Sequence, residues 1–311
     1  MNVEELKQLQ SQIIKKNKIC NIVGLLLFLI ALAIYLSIAI PKKTDIYLMI
    51  IISFIELIFS LIIVMYIKSK ANDKDIEKFY KDFKNVFVLK SLNNIFTDIK
   101  YYPEKGFSKN FIKNIGMLYT GDSYNSNDYI SGKYKDIAFE QSDIHIEEKY
   151  IEEDADGEKE EVWKTIFLGR LMIFDFNKPF KTNIQVASYR FEAESLPWSK
   201  KFSRVEMEDA EFNNTFNVYA ESEHEAFYVL TPHFMEKLKT ITKKINCGIM
   251  FCFVDNKLHI AVDNEKDSFE YNVFERIDEI KIEKEITNDI KLITDFIDEL
   301  NLDNELFKKG E

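Results

Sequence analysis

Glycine and proline are scarce in this 311-residue chain: nine Gly and five Pro make up about 4.5% of it, against an average of about 12%. No two glycines lie two apart, so the G-x-G loops that cradle dinucleotides or kinase-bound phosphates are absent. The three cysteines, Cys20, Cys247 and Cys252, are odd in number and form no C-x-x-C pair, which supports neither a disulfide framework nor a zinc ribbon. The four histidines, His145, His224, His233 and His259, show no paired metal-ligand spacing. Basic charge is also short. With 41 Lys plus Arg against 52 Asp plus Glu the net charge is −11, which argues against nucleic acid as a partner. Apolar residues are not short, at 46%, and they are unevenly spread.

Two runs of 22 residues, 19–40 and 46–67, contain a single charged residue between them, Glu56. At 1.5 Å per helical residue each reaches about 33 Å, enough to cross the hydrocarbon layer of a bilayer. A helix is the one single-segment structure that satisfies its own backbone there. The connector Pro41-Lys42-Lys43-Thr44-Asp45 allows only an antiparallel hairpin. Lys7, Lys15, Lys16 and Lys18 precede the first run and Lys68, Lys70, Lys74 and Lys78 follow the second, against two lysines in the connector. This bias predicts a plasma-membrane protein with segment 1–18 and everything after residue 67 in the cytoplasm and the connector outside. Ser37-Ile38-Ala39 has the form of a signal-peptide cleavage site, but the apolar run before it exceeds the usual h-region.

Glu56 falls at mid-span. Its insertion costs about 3 kcal/mol, whereas the 15 Ile, Leu, Phe and Val residues of the same run gain roughly 6 kcal/mol together, so insertion still wins. Ser53 and Ser60, at i−3 and i+4, share its face. Ser53, Glu56 and Ser60 thus form a candidate intramembrane polar site, either an interhelical hydrogen-bonding stripe or a proton- or ion-responsive one.

Residues 1–75 carry nine lysines against six acids, and the remainder carries a net −14. Basic charge therefore hugs the expected membrane and acidic charge lies away from it. Ile76, Phe79, Phe83, Val86, Leu89, Leu92, Phe96 and Ile99 recur at helical spacing, predicting a juxtamembrane amphipathic helix over 68–103, capped by Asn72 or Asp73 and closed by the turn Tyr101 to Gly106. A cytoplasmic domain over 104–311 follows. Residues 107–132 are mixed, with Gly121, Asn125, Asn127, Asp128 and Gly132 marking turns. From Lys135 the period becomes two, with Ile137 and Phe139, then Ile144 and Ile146, then a strand from Val162 to Phe176, and Asp156-Gly157 marks a hairpin turn between. Further strands are expected at 216–219, 226–230, 249–254 and 258–262, with Asp255-Asn256 turning between the last two. Thr231-Pro232 starts a helix with Phe234, Leu238, Ile241 and Ile245 on one face, and Ile286, Ile290, Ile293, Ile297 and Leu300 mark another. The expected fold is α+β: a two-helix transmembrane hairpin, then an antiparallel sheet with packing helices on one side.

Gly116 to Ser123 has the spacing of a phosphate-binding loop, but Asp122 occupies the lysine position. Gly121-Asp122-Ser123-Tyr124 resembles the nucleophile block of GDS-type lipases and esterases. The Asp-x-x-His pair of that family is missing, since Asp143-Ile144-His145 and Asp255…His259 are misspaced. Glu152 to Glu161 places Asp154, Asp156 and Gly157 as a calcium loop would, yet Trp163 stands where the bidentate Glu belongs. The stretch 147–161 nonetheless carries a net −7.

Thr165-Ile166-Phe167-Leu168-Gly169-Arg170-Leu171 with Asp175-Phe176-Asn177-Lys178 resembles a bacterial membrane-protein family catalogued as domain of unknown function 3137. So do Phe216-Asn217-Val218-Tyr219, Leu230-Thr231-Pro232 with Met235, and Phe253-Val254-Asp255-Asn256-Lys257-Leu258. The resemblance extends upstream to Tyr102-Pro103-Glu104-Lys105-Gly106 and the paired spans. It implies architecture and bacterial origin rather than chemistry, and association with LemA-type membrane proteins. The residues assemble no catalytic, cofactor or metal set. The expectation is a membrane-anchored binding or scaffold module, with the bilayer and a protein partner or a second copy as its contacts. The alternative is a homo-oligomeric pore or ion-responsive component using Glu56. An enzyme with carboxylate chemistry remains open to a cleft that would gather acids.

Overall fold

In the computed structural model, which describes residues 1–40, 46–153, 159–176, 180–191, 196–300 and 302, both apolar runs are helical. The first lies within α1 (Val3–Ala39) and the second within α2 (Ile46–Phe83). Each is long and apolar enough to cross a membrane. The connector 41–45, the Asp156-Gly157 turn, the calcium-loop-like Asp154 to Gly157 and the pair Asn177-Lys178 lie outside the described residues.

The chain divides into two compact units. The first comprises Met1–Phe87 with Tyr271–Glu279. Asn2 and Glu5 close a reciprocal capping box that starts α1. The two helices approach closely at Gly24, where a Cβ would lie 2.0 Å from Val64 Cγ2. Beyond the apolar runs they continue side by side, joined by the Lys16–Asp75 ion pair. Buried Gln10 donates from Nε2 to the Val273 and Glu275 carbonyls at 2.9 and 2.5 Å, and Tyr271 stacks on Phe83 with ring centres 4.9 Å apart. The juxtamembrane helix over 68–103 is therefore corrected. No helix is capped at Asn72 or Asp73, because α2 contains neither Gly nor Pro and runs unbroken to Phe83. A π-helical turn (Lys84–Leu89) and α3 (Lys90–Ile95) follow, and at Thr97 the chain becomes a strand.

The second unit, Val88–Glu270 with Ile280–Glu311, holds a sheet of nine strands among the described residues. They are β1 (Thr97–Tyr102), β2 (Ser123–Tyr134), β3 (Ile137–Glu153), β4 (Lys159–Asp175), β5 (Ile184–Ser188), β6 (Ser203–Val205), β7 (Phe216–Ala220), β8 (Gly248–Val254) and β9 (Lys257–Asp263). The order is β1-β2-β3-β4-β9-β8-β5-β7-β6 with antiparallel neighbours, so β4–β9 is the seam between two halves. Asp255 and Asn256 both have positive φ, the geometry of a tight hairpin turn, and pass β8 directly into β9.

Period-two alternation buries both faces. On one, Phe251 and Phe253 meet Phe296 and Phe234, which stand on α8 (Glu279–Leu300) and α7 (Pro232–Ile245). On the other, Leu171, Ile173, Met250, Cys252 and Ala261 join Ile112 of α4 (Lys109–Ile115) and Trp198 of a 3-10 turn (Pro197–Lys200). Helical cover is thus not confined to one side. The strand expected at 226–230 is corrected to α6 (Glu223–Val229). Ser222 caps it by accepting from the Glu225 N–H, and Ala226 and Val229 are buried one turn apart. A short α5 (Ala210–Asn213), capped by Asp209, precedes β7.

Candidate functional site

The core-facing side of β3 and β4 carries charges where an apolar stripe would be the norm. Asp143 is directly opposite Arg170 in the ladder, and the two are 2% and 1% exposed. Their closest ionic contact, Arg170 Nε to Asp143 Oδ1, is 3.5 Å. Arg170 Nε also donates to Ser268 Oγ at 2.6 Å, its guanidinium lies 3.5 Å from Asp289 Oδ1, and the Phe269 ring sits 5.2 Å away. The Ser268 N–H donates to Asp143 Oδ2. A bulge in β2 brings in Asp128, which is fully buried and has positive φ. Tyr101 donates to its Oδ1 at 2.5 Å, and Asn127 Nδ2 donates to its Oδ2 at 3.1 Å and to Asp267 at 3.3 Å.

Carboxylate oxygens of Asp128, Asp143 and Asp267 lie within 4.8 Å of one another, the geometry of a hard-cation site. The donor set fits a cation poorly, however. Tyr101 and Asn127 already donate to Asp128, Ser268 donates to Asp143 Oδ2, and the Arg170 guanidinium supplies the countercharge 3.5 Å from Asp143 Oδ1, an oxygen with no hydrogen-bond partner, so a metal would have to share the site with a fixed positive charge. Burial pushes the Asp143 carboxyl well above the usual carboxylate range, with Arg170 pulling the other way, and burial beside Asp128 raises the Tyr101 hydroxyl. The arrangement latches the loop carrying Lys266 to Phe269, and α8 through Asp289, onto the sheet.

The other sequence candidates are not brought together as sites. Gly116 ends α4 as its left-handed C-cap, so no helix follows the phosphate-loop-like segment, and Asp122 is spent on strand contacts, donating to the Glu147 carbonyl and accepting from the Lys149 N–H. Ser123 begins β2 opposite Glu147, and His145 lies 3.1 Å from Thr165 Oγ1, so no Ser–His–Asp chain forms among the described residues. His224 and His233 are exposed on helices. Ser53, Glu56 and Ser60 share a half-buried face of α2, but both serines donate to their own helix, at Met49 and Leu57. Glu56 Oε2 has no hydrogen-bond partner, and it lines a groove with Leu27, Phe28, Ile52 and Phe59.

His259 on β9 is 4% exposed, and burial pushes its imidazole down to about 4. Its folded pKa lies below the unfolded value, so the folded state takes up its proton later than the unfolded chain. Stability from this group is whole above pH 6.5 and lost as pH falls toward 4. Asp143 has the opposite sign, its contribution fading as pH rises from the ordinary carboxylate range. Between pH 7.5 and 4, the unfolding free energy of wild type should therefore fall by roughly 2–3 kcal/mol relative to that of His259→Leu, as read from urea titrations.

No curated protein and no solved structure matches the chain significantly. One family model matches, that of a protein of unknown function (DUF3137), over residues 165–302. The match takes in Arg170, the β8–β9 hairpin, α7 and α8, and stops short of the upstream blocks that carry the wider resemblance. Residues 165–302 of this chain are accordingly a DUF3137 domain.

Proposed function

We propose that α1 and α2 cross the plasma membrane with both chain ends in the cytoplasm, and that they hold the sheet-bearing unit there as a binding or scaffold module rather than an enzyme. The observation that carries this reading is the bareness of the helices. Leu25, Leu26, Ile30, Ile50, Phe54 and Phe59 are all about half exposed or more, an apolar surface far larger than water-exposed proteins keep. The partner is another protein, and a LemA-type membrane protein is the specific candidate that the family resemblance suggests. Crosslinking in native membranes followed by partner identification tests this. The expected result is a second protein joined to the cytoplasmic part, whereas recovery of the chain alone contradicts it.

The unpartnered Glu56 Oε2 in an apolar groove favours a second reading, a homo-oligomeric ion- or proton-responsive component. Two helices per chain enclose no pathway alone, so this reading requires an oligomer. On it, Glu56→Gln keeps membrane integration, since the substitution relieves a cost of about 3 kcal/mol, but alters proton or ion flux in proteoliposomes. Unchanged flux, or a monomer in bilayers, removes it.

A further inference from the structure

The β3–β4 hairpin outruns the rest of the sheet. The pairing with β2 stops at Ser123, opposite Glu147, and that with β9 stops at Asp263, opposite Gly169, so among the described residues Glu148–Glu153 and Lys159–Lys164 have only each other as strand neighbours. A two-stranded ribbon is marginal in water without a covering layer, and an uncovered edge is a template for another strand. This one shows Ile151 at 69% and Trp163 at 51% exposure, on one face. Lys149 braces that face, 2.5 Å from Glu161 and 5.9 Å from the Trp163 ring. The opposite face holds Tyr150 and Val162 and, beyond them, Glu152 directly across from Glu160. Like charges directly opposed in a ladder are destabilising, and among the described residues neither glutamate has an ion-pair partner. The two described strands of the arm, 147–153 and 159–165, carry six acids against three lysines.

We propose that this arm is the docking site of a basic polypeptide segment, which adds to the ribbon as a further strand. Its alternate side chains would place lysine or arginine at the Glu152–Glu160 pair and apolar groups against Ile151 and Trp163, because an added strand presents successive side chains to opposite faces. Anionic lipid and nucleic acid carry the wrong charge for this surface. The inference rests on the partner-binding reading above and names the partner's chemistry.

The test uses the full chain in zwitterionic nanodiscs and a synthetic octapeptide alternating lysine and valine, with a glutamate–valine octapeptide as control. Trp163 emission should shift to the blue on binding, while buried Trp198 stays silent. Replacing both glutamates (Glu152→Gln with Glu160→Gln) should weaken the lysine peptide about tenfold and leave the thermal midpoint equal or higher, because the opposed charges are gone. Ile151→Ser should weaken it as well. The proposal is overturned by equal binding to wild type and the double variant, by equal binding of the glutamate peptide, by absence of any shift, or by calcium alone producing a shift that the lysine peptide does not compete. Concentration-dependent self-association through the arm without peptide binding overturns it too. Failure here leaves the broader scaffold reading to the crosslinking experiment, which is blind to where a partner docks.

Discussion

Arg170→Met should destabilise the sheet-bearing unit by about 3–5 kcal/mol, measured as the shift in urea unfolding of the detergent-solubilised chain. Methionine fills most of the arginine's volume, so packing changes little. What changes is the charge balance at a site that water does not reach. Asp143 and Arg170 are almost fully buried, and Asp128 beside them is wholly so. Without the guanidinium, Asp143 keeps one donor, the Ser268 N–H, and faces Asp128 and Asp267 within 4.8 Å. Removing one member of a buried ion pair strands the other, at a cost that exceeds what the intact pair contributes. A compensating change separates this cause from lost packing: Arg170→Met combined with Asp143→Leu should recover most of the loss. Asp289, better exposed and bridged by Lys266 at 2.6 Å, should not need compensation. A loss below about 1 kcal/mol for Arg170→Met would mean that the latch holds nothing together.

Gly169→Ala is the second large effect, about 2–3 kcal/mol by the same measurement. Gly169 is opposite Asp263 at the end of the β4–β9 seam. A Cβ there would lie 2.0 Å from the Val262 carbonyl oxygen and 3.1 Å from Asn264 Oδ1. The first of these is backbone and cannot swing aside as a side-chain end can, so the strands must part locally. Because β4–β9 is where the two halves of the sheet join, amide exchange should quicken along both strands rather than only near residue 169. In chain order the substitution is next to Arg170, yet its cause is steric and its effect should not respond to Asp143→Leu.

How much of this was legible in the sequence varies with the range of the interaction. The apolar runs in α1 and α2, the stripes of α7 and α8 and the β8–β9 hairpin were readable because their signal is local periodicity. β1 was hidden because Phe96 and Ile99 continue a helical rhythm. The chain leaves it because Lys100 to Tyr102 pair with Tyr129 to Ser131, a contact about 30 residues distant. β2 is rich in Ser, Asn and Asp, which read as turns and become strand through pairing on both sides. α6 is masked in the sequence because Phe227, Tyr228 and Val229 favour strands, although Ser222 three residues before Glu225 is a capping signature. The Asp128–Asp143–Arg170 cluster joins residues from separate strands, so no spacing could reveal it. A signal existed nonetheless: an arginine at a core position within the apolar run Ile166 to Phe176 demands a buried acid elsewhere.

In the arrangement proposed above, α1 and α2 anchor an acidic, sheet-bearing unit on the cytoplasmic side of a bilayer. Two treatments of separate portions of the same sealed, inside-out vesicles test it most directly: protease digestion of one and an alkaline carbonate wash of the other. The chain should stay with the membrane through the wash, and in the intact vesicles protease should remove the residues beyond α2, leaving a protected fragment with both apolar runs. Release of the intact chain by carbonate, or digestion of the sheet-bearing unit only in vesicles of the opposite orientation, would contradict it.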